Sequence, residues 1–142
     1  MNSIQDKVKS FLHENKIATV CFVDDNNKPY CINCFYVFDE ENNMLIFKSS
    51  TGSTHQGLIK PAACISGTIL PDAVDVLNIK GIQFVGNLIA PKEVESLKLN
   101  LKYIKKYPLS VTIFGYIWAA KLDFLKFTDN TLGFGTKTTW KA

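Results

Sequence analysis

The chain has 142 residues, 46% hydrophobic and 20% charged, with 16 Lys against 13 acidic residues and a net charge of +3. A domain of that length buries a core without disulfides or metals; the composition excludes a disordered chain, and the charge is too small to mark a nucleic-acid binder. No apolar run reaches the roughly 18 residues of a spanning helix, and the start, MNSIQDKVKS, lacks a signal peptide's apolar stretch, so a soluble, cytoplasmic single domain over residues 1–142 is expected.

Ile4, Val8, Phe11 and Leu12 recur at helical spacing. Ser3 and Asp6 offer a capping pair, so the first element is a helix ending near Asn15. Lys16–Val23 is a β-branched strand and Asp24–Asn27 a polar turn. Pro29–Phe38 is a second strand, with Tyr30, Ile32, Cys34, Tyr36 and Phe38 on one face and Phe35 and Val37 on the other. A strand apolar on both faces is covered on both, and in a short chain a partner subunit often supplies the second cover. Asp39–Asn43 is a turn, and Met44–Ser50 completes a three-stranded meander.

Thr51–Ile59 combines turn and cap residues and predicts a short helix stopping before Pro61. Strands are expected over Ala62–Leu70 and Asn78–Ile89, the second with Gly81 and Gly86 marking bulges or close approach. Pro91 suits the first position of a second helix. Val94, Leu97, Leu101 and Ile104 form its apolar stripe, Lys98, Lys102, Lys105 and Lys106 its polar side, and Pro108 its end. Ser110–Phe127 contains one or two strands, Asp129-Asn130 a turn and Leu132–Trp140 a last strand. Hairpin-linked strands with few helices predict an α+β domain. Six or seven strands in so short a chain predict a small, mainly antiparallel barrel with two main helices and one short helix, since closure removes exposed edges.

Charge divides unevenly. Residues 1–91 hold seven Lys and nine acids, residues 92–142 nine Lys and four acids, and no residue is Arg. Lys attracts phosphate as a point charge and not as a bidentate fork. Cys31-x-x-Cys34 resembles half a redox or zinc motif. It falls on a predicted strand, where residues three apart face opposite ways, so Cys21, Cys31, Cys34 and Cys64 are read as reduced structural thiols. Trp118 and Trp140 are read as core, His13 as surface.

The stretch Leu45–His55 carries the chemistry. A strand ends in Lys48, Ser49 and Ser50; a Gly turn follows, then Ser53, Thr54 and His55 at a helix start. Unpaired N–H groups, hydroxyls and a lysine make a cradle for a phosphate dianion; the plainer alternative is that Ser53 or Thr54 only caps a helix. A Walker loop and a GxGxxG are both absent.

In element order, and in the segments KIATVCFVD, PYCINCFYVF, LIFKSS, STHQGLIKP, IKGIQFVGNLIAP and LKFTDNTLGFGTKTTW, the chain resembles the pyridoxamine 5'-phosphate oxidase-like, FMN-binding split-barrel family, in a small bacterial branch. The resemblance implies a split barrel binding FMN, with Lys48, Ser49, Ser50, Ser53, Thr54 and His55 at the phosphate and ribityl chain. It implies Asn33 and Phe35 beside the isoalloxazine ring and Gln83 near the flavin, sometimes from the partner. It implies a homodimer with cofactor at the interface. The family usually has Arg or Lys where this chain has Thr54 and His55, which leaves Lys48, or a lysine from elsewhere, to supply charge. Its pyridoxamine-phosphate oxidases end in a basic Arg- and His-containing segment, which GTKTTWKA does not match. The functions implied are an FMN-dependent oxidoreductase acting on a small molecule, a non-catalytic module holding flavin or haem (with His13 and His55 as the histidine ligand candidates), or, given the missing Arg and Lys at Thr54 and His55, a structural or regulatory dimer with a vestigial site.

Overall fold

The computed structural model of the chain describes residues 2–50, 54–89, 92–133 and 135–142, and of His55, Gln56, Glu93, Val94 and Leu132 the backbone alone. Helix α1 (Asp6–Glu14) is preceded by Gln5 in the capping position, without a side-chain cap. The Ser3–Asp6 pair does not start it: Ile4 is drawn into the core and the helix begins two residues later. Strands β1 (Ile17–Val23) and β2 (Pro29–Asp39) form a hairpin. In its turn Asp24 Oδ1 accepts the N–H groups of Asn26 at 2.9 Å and Lys28 at 2.8 Å. Asn27 takes a φ of 62°, a conformation Asn tolerates.

β3 (Met44–Ser50), β4 (Cys64–Ile69), β5 (Lys80–Ile89), α2 (Glu93–Lys106), β6 (Gly115–Asp129) and β7 (Lys137–Lys141) follow, with short 3-10 turns at Thr54–Leu58, Pro108–Thr112 and Asn130–Leu132. The order β3-β2-β1-β4-β5-β6, with β6 returning to β3, closes six antiparallel strands into a barrel. The architecture is the predicted α+β split barrel. One edge of β6 serves two neighbours: Gly115–Lys121 pairs with β3 and Phe124–Thr128 with β7. β5 pairs along its other edge, with a bulge at Val85/Gly86. Gly86 is required there, since a Cβ would sit 2.6 Å from Lys121 O.

The inward residues form one cluster, capped by Val8, Phe11 and Leu12 of α1. Trp118 stacks on Phe47 at 4.4 Å and leans on Phe22 at 5.6 Å. Trp140 is buried and donates from Nε1 to Asn2 O at 3.1 Å. A second cluster lies outside the barrel, where Val37, Met44, Ile46 and Ala119 meet Leu99 and Tyr103 of α2. The second cover of β2 at Val37 is therefore this chain's own helix, not a partner; Tyr30 and Phe35, nearer its start, remain 41% and 50% exposed.

β2 and β3 pair only from Asp39↔Met44 to Tyr36↔Phe47. Past that point β2 continues with β1, and β3 with β6. Phe35 O loses a partner where the strands part, and Tyr36 O lacks one because Lys16 N–H, just before β1, donates to Asp72 Oδ1 at 3.2 Å; side chains at the end of α2 reach these and the neighbouring carbonyls. Tyr103 Oη reaches Phe35 O at 3.5 Å, and Lys106 Nζ donates to Asn15 O at 2.6 Å. Tyr107 Oη lies 2.5 Å from Tyr36 O and 3.2 Å from Lys16 O, its one proton shared between them.

Candidate functional site

The outward face of β2, β1, β4 and β5 carries a polar row set by register alone. Thr19 lies opposite both Asn33 and Thr68, Thr68 opposite Gln83, and Gln83 opposite Lys126 of β6. Alternation puts these residues outside because their neighbours Ala18, Val20, Ile69, Ile82 and Phe84 fill the barrel. Thr19 Oγ1 donates to Asn33 Oδ1 at 2.7 Å, which leaves the Asn33 amide nitrogen pointing elsewhere.

Two grooves meet on this row and share Thr19 and Thr68. One, of about 470 Å³, runs past Asn33 between Ile17, Leu70 and Val74. The other, of about 380 Å³, runs past Gln83 between Cys21, Cys31, Val85 and Phe124. Together they form a trough with an amide and hydroxyl floor and largely apolar walls. Phe35 lines neither groove but lies opposite Ile17 of the first, packed on Tyr107 with ring centroids 5.3 Å apart. That donor set fits a flat heterocycle, whose faces want apolar walls and whose edges want amide donors and acceptors.

Lys48 lies elsewhere. It lines a groove of about 530 Å³ with Ser96, Leu97, Asn100 and Tyr116, and its ammonium donates to Ser110 O at 2.8 Å. The Ser110 hydroxyl itself is buried and lacks a partner among the described residues, an unmet hydrogen-bonding group close to a cation. Ser50 is exposed, whereas Ser49, one residue back on the alternating strand, is fully buried. Thr54 is exposed and opens the first 3-10 turn. Ser53 lies outside the described residues, as does the side chain of His55. The short helix expected here is that five-residue 3-10 turn, too brief to develop a helix dipole.

The structure thus brings Asn33 and Gln83 to one trough, with Phe35 beside it, and places Lys48 in a separate groove beyond the Pro108–Thr112 turn. Sequence reasoning passed over Thr19 and Thr68, which complete the row, and over Tyr107. Their signal was the period-2 alternation of β1 and β4, usable only once the strand neighbours were known. A further groove, of about 620 Å³ on the other flank of α2, is lined by both charge signs and holds the Lys102–Asp39 pair at 2.9 Å.

Among solved structures, the barrel is shared by proteins that hold flavin or haem. A haem-binding protein from Mycobacterium smegmatis superposes with a TM-score of 0.79 at 11% identity, over 96% of this chain and 57% of that longer one. An FAD-binding protein from the same organism gives 0.66 at 9% identity over all of both chains. A protein of the pyridoxinephosphate oxidase family from Clostridium acetobutylicum, related to general stress protein 26, gives 0.64 at 14% identity over 95% of this chain and 92% of that one. At such identities the likeness is one of fold. By sequence the chain belongs to the UPF0306 family: a UPF0306 protein of Cronobacter sakazakii (strain ATCC BAA-894) is 34% identical over 135 residues, 95% of this chain and 93% of that protein. No protein-family model matches. Among the described residues no helix is long and apolar enough to cross a membrane, and no cluster of His, Cys, Asp or Glu could hold a metal ion.

Proposed function

We propose that the chain binds FMN and acts as a flavin-dependent oxidoreductase on a small molecule, working as a homodimer. The observation that carries this reading is the trough with Asn33, Thr19, Thr68 and Gln83 as its floor. Asn33 and Gln83 offer amide donors and acceptors to the polar edge of a ring lying on the row, and Phe35 packs at its end. Lys48, Ser50 and Thr54, with Ser53 and His55 of the same segment, take the phosphate; Lys48 can exchange its Ser110 carbonyl for the anion, and the Ser110 hydroxyl can join it. Ser49 contributes through its backbone, its side chain being buried. Bound flavin supplies the hydride chemistry, and the amide donors favour charge gathering at the ring edge on reduction. The second copy covers the apolar face of Leu97, Leu101, Ile113 and Phe114, each more than half exposed, and so borders the Lys48 groove.

Flavin is favoured over haem by the place of His13. Its ring packs on Phe38 at 5.1 Å and its Nε2 lies 3.9 Å from Glu40, at the β2–β3 hairpin end, and no described histidine side chain lines the trough. The test is a titration of the purified protein with FMN, read by flavin fluorescence. Saturable quenching at micromolar protein is expected. Lys48→Ala should weaken binding about tenfold, the loss of one charge-assisted contact, whereas Phe35→Ala should change the bound flavin's visible spectrum more than its affinity. Unquenched flavin at all concentrations, or a Soret band that survives desalting in place of flavin binding, would overturn the proposal.

A further inference from the structure

Cys21 and Cys31 stand directly opposite each other in the β1–β2 hairpin. Two backbone bonds fix the phase of the ladder. Tyr36 N–H donates to Lys16 O at 2.9 Å, and Asp24 N–H to Lys28 O at 2.9 Å. Each joins residues that face each other in an unbroken register, so Lys16↔Tyr36 and Asp24↔Lys28 are hydrogen-bonded pairs, and so is every second pair between them. Cys21↔Cys31 falls on the alternate, non-hydrogen-bonded set, where opposite Cα atoms are about 4.5 Å apart and side chains come closest. That separation lies within the roughly 4.4–6.8 Å a disulfide spans.

Both thiols line the Gln83 groove on the outward face, Cys31 exposed and Cys21 half-buried. Burial and the neighbouring Cys31 thiol push the Cys21 thiol above its ordinary range, as expected of two thiols on facing residues. The other cysteines are placed differently. Cys34 packs against the barrel core, and burial pushes its thiol up to about 12. Cys64, two residues before Ser66, the β4 partner of Cys21, sits diagonal to Cys21. The spacing that draws the eye in the sequence, Cys31-x-x-Cys34, is not the pair; the pair is ten residues apart and made by the hairpin.

We propose that Cys21 and Cys31 form a reversible dithiol–disulfide couple that exchanges with low-molecular-weight disulfides entering the trough. The exposed Cys31, as thiolate, attacks one sulfur of the small disulfide, forms a mixed disulfide and releases one thiolate. Cys21, losing its proton to solvent, then attacks the Cys31 sulfur, closes the Cys21–Cys31 bond and expels the second thiolate. The protein gives up two electrons and two protons, and the small disulfide becomes two thiols. The exchange needs no flavin, so it stands or falls apart from the reading above.

The full-length protein, free of added cofactor, is equilibrated with graded ratios of oxidised to reduced glutathione, quenched by alkylation and cleaved before aspartates. Cuts at Asp24 and Asp25 separate the Cys21 fragment from the Cys31 fragment. A cross-link between these fragments, with loss of two hydrogens, is expected in the wild type and in the Cys34→Ser, Cys64→Ser double variant. It should be reversed by dithiothreitol and abolished by Cys31→Ser, with circular dichroism showing that variant folded. Full alkylation of both thiols at the most oxidising ratio, a mixed disulfide that never resolves, or a link from Cys21 to Cys64 would each overturn the proposal.

Discussion

Asp39 has no exposed side-chain surface, and its carboxylate is held by Lys102 at 2.9 Å and the Asn42 amide at 2.9 Å. Burial works to raise its pKa, but the Asn42 and Lys102 contacts outweigh that and hold the carboxyl below its ordinary value. The folded state therefore binds this proton less readily than the unfolded chain. The contribution is present above the unfolded carboxyl's pKa of about 3.9 and is lost as pH falls through the lower folded value. The two partners are not equivalent. Without Asp39, Lys102 is 38% exposed and can turn to Glu41, 3.9 Å away; without Lys102, Asp39 is a buried charge held by the Asn42 amide. Lys102→Ala should cost about 3 kcal/mol at pH 7 and more than Asp39→Asn. Urea unfolding at pH 7 and pH 3 checks both parts: the gap between wild type and Lys102→Ala should shrink in acid.

At the level of elements, α2 is the part that the sequence misled on, and it shows why. Two sets of apolar residues lie along it at different phases, Leu97, Leu101 and Ile104 in one and Leu99 and Tyr103 in the other. Hydrophobicity alone favours the first. The structure buries Leu99 and Tyr103 and leaves Leu97 61% and Leu101 59% exposed. What decides is polar. Phe35 O, where β2 leaves β3, and Tyr36 O, whose partner Lys16 N–H donates to Asp72 Oδ1 at 3.2 Å instead, need donors, and only the second phase delivers the Tyr103 and Tyr107 hydroxyls there. No pattern within the helix records that need. Leu99→Ala should cost about 2–5 kcal/mol by leaving a cavity under the helix. Leu97→Lys should change stability by no more than about 0.5 kcal/mol, yet weaken the proposed dimer in sedimentation velocity. The strands were more legible, since β1, β2, β3 and β5 alternate cleanly or are bounded by Asp-Asn turns. The last strand was overextended, because Asn130–Leu132 curls into a turn stabilised by Asp129 Oδ1, which accepts the Thr131 N–H at 2.9 Å. For the site, the residues pointed to the β3 end, and the family resemblance to Asn33 and Gln83. It could not reveal that the latter two share a row with Thr19 and Thr68, because register is a long-range property.

Over the whole molecule, closure depends on β3 meeting β6, residues distant in sequence, while β1–β2 and β2–β3 are local hairpins. Loop closure makes the distant pairing the slow one. β7 belongs to neither group: it pairs with β6 alone, outside the closed ring, anchored by buried Trp140. Native-state hydrogen exchange should find Thr138–Lys141 amides exchanging faster than those of β5, which has a partner on both sides. Equal protection would mean that the appended strand unfolds only with the barrel.

The double use of one β6 edge also decides where this protein is open to strand invasion. Once β3 has taken the first half of that edge, the stretch Phe124–Thr128 is hidden only by a five-residue ribbon bearing Lys137 and Lys141 at its two ends. Charged residues on a short border strand discourage a foreign strand from docking. A chain cut before Lys137 would bare a run of backbone donors and acceptors above Leu125 and Phe127, and such copies would be expected to knit together into fibrous or amorphous aggregates.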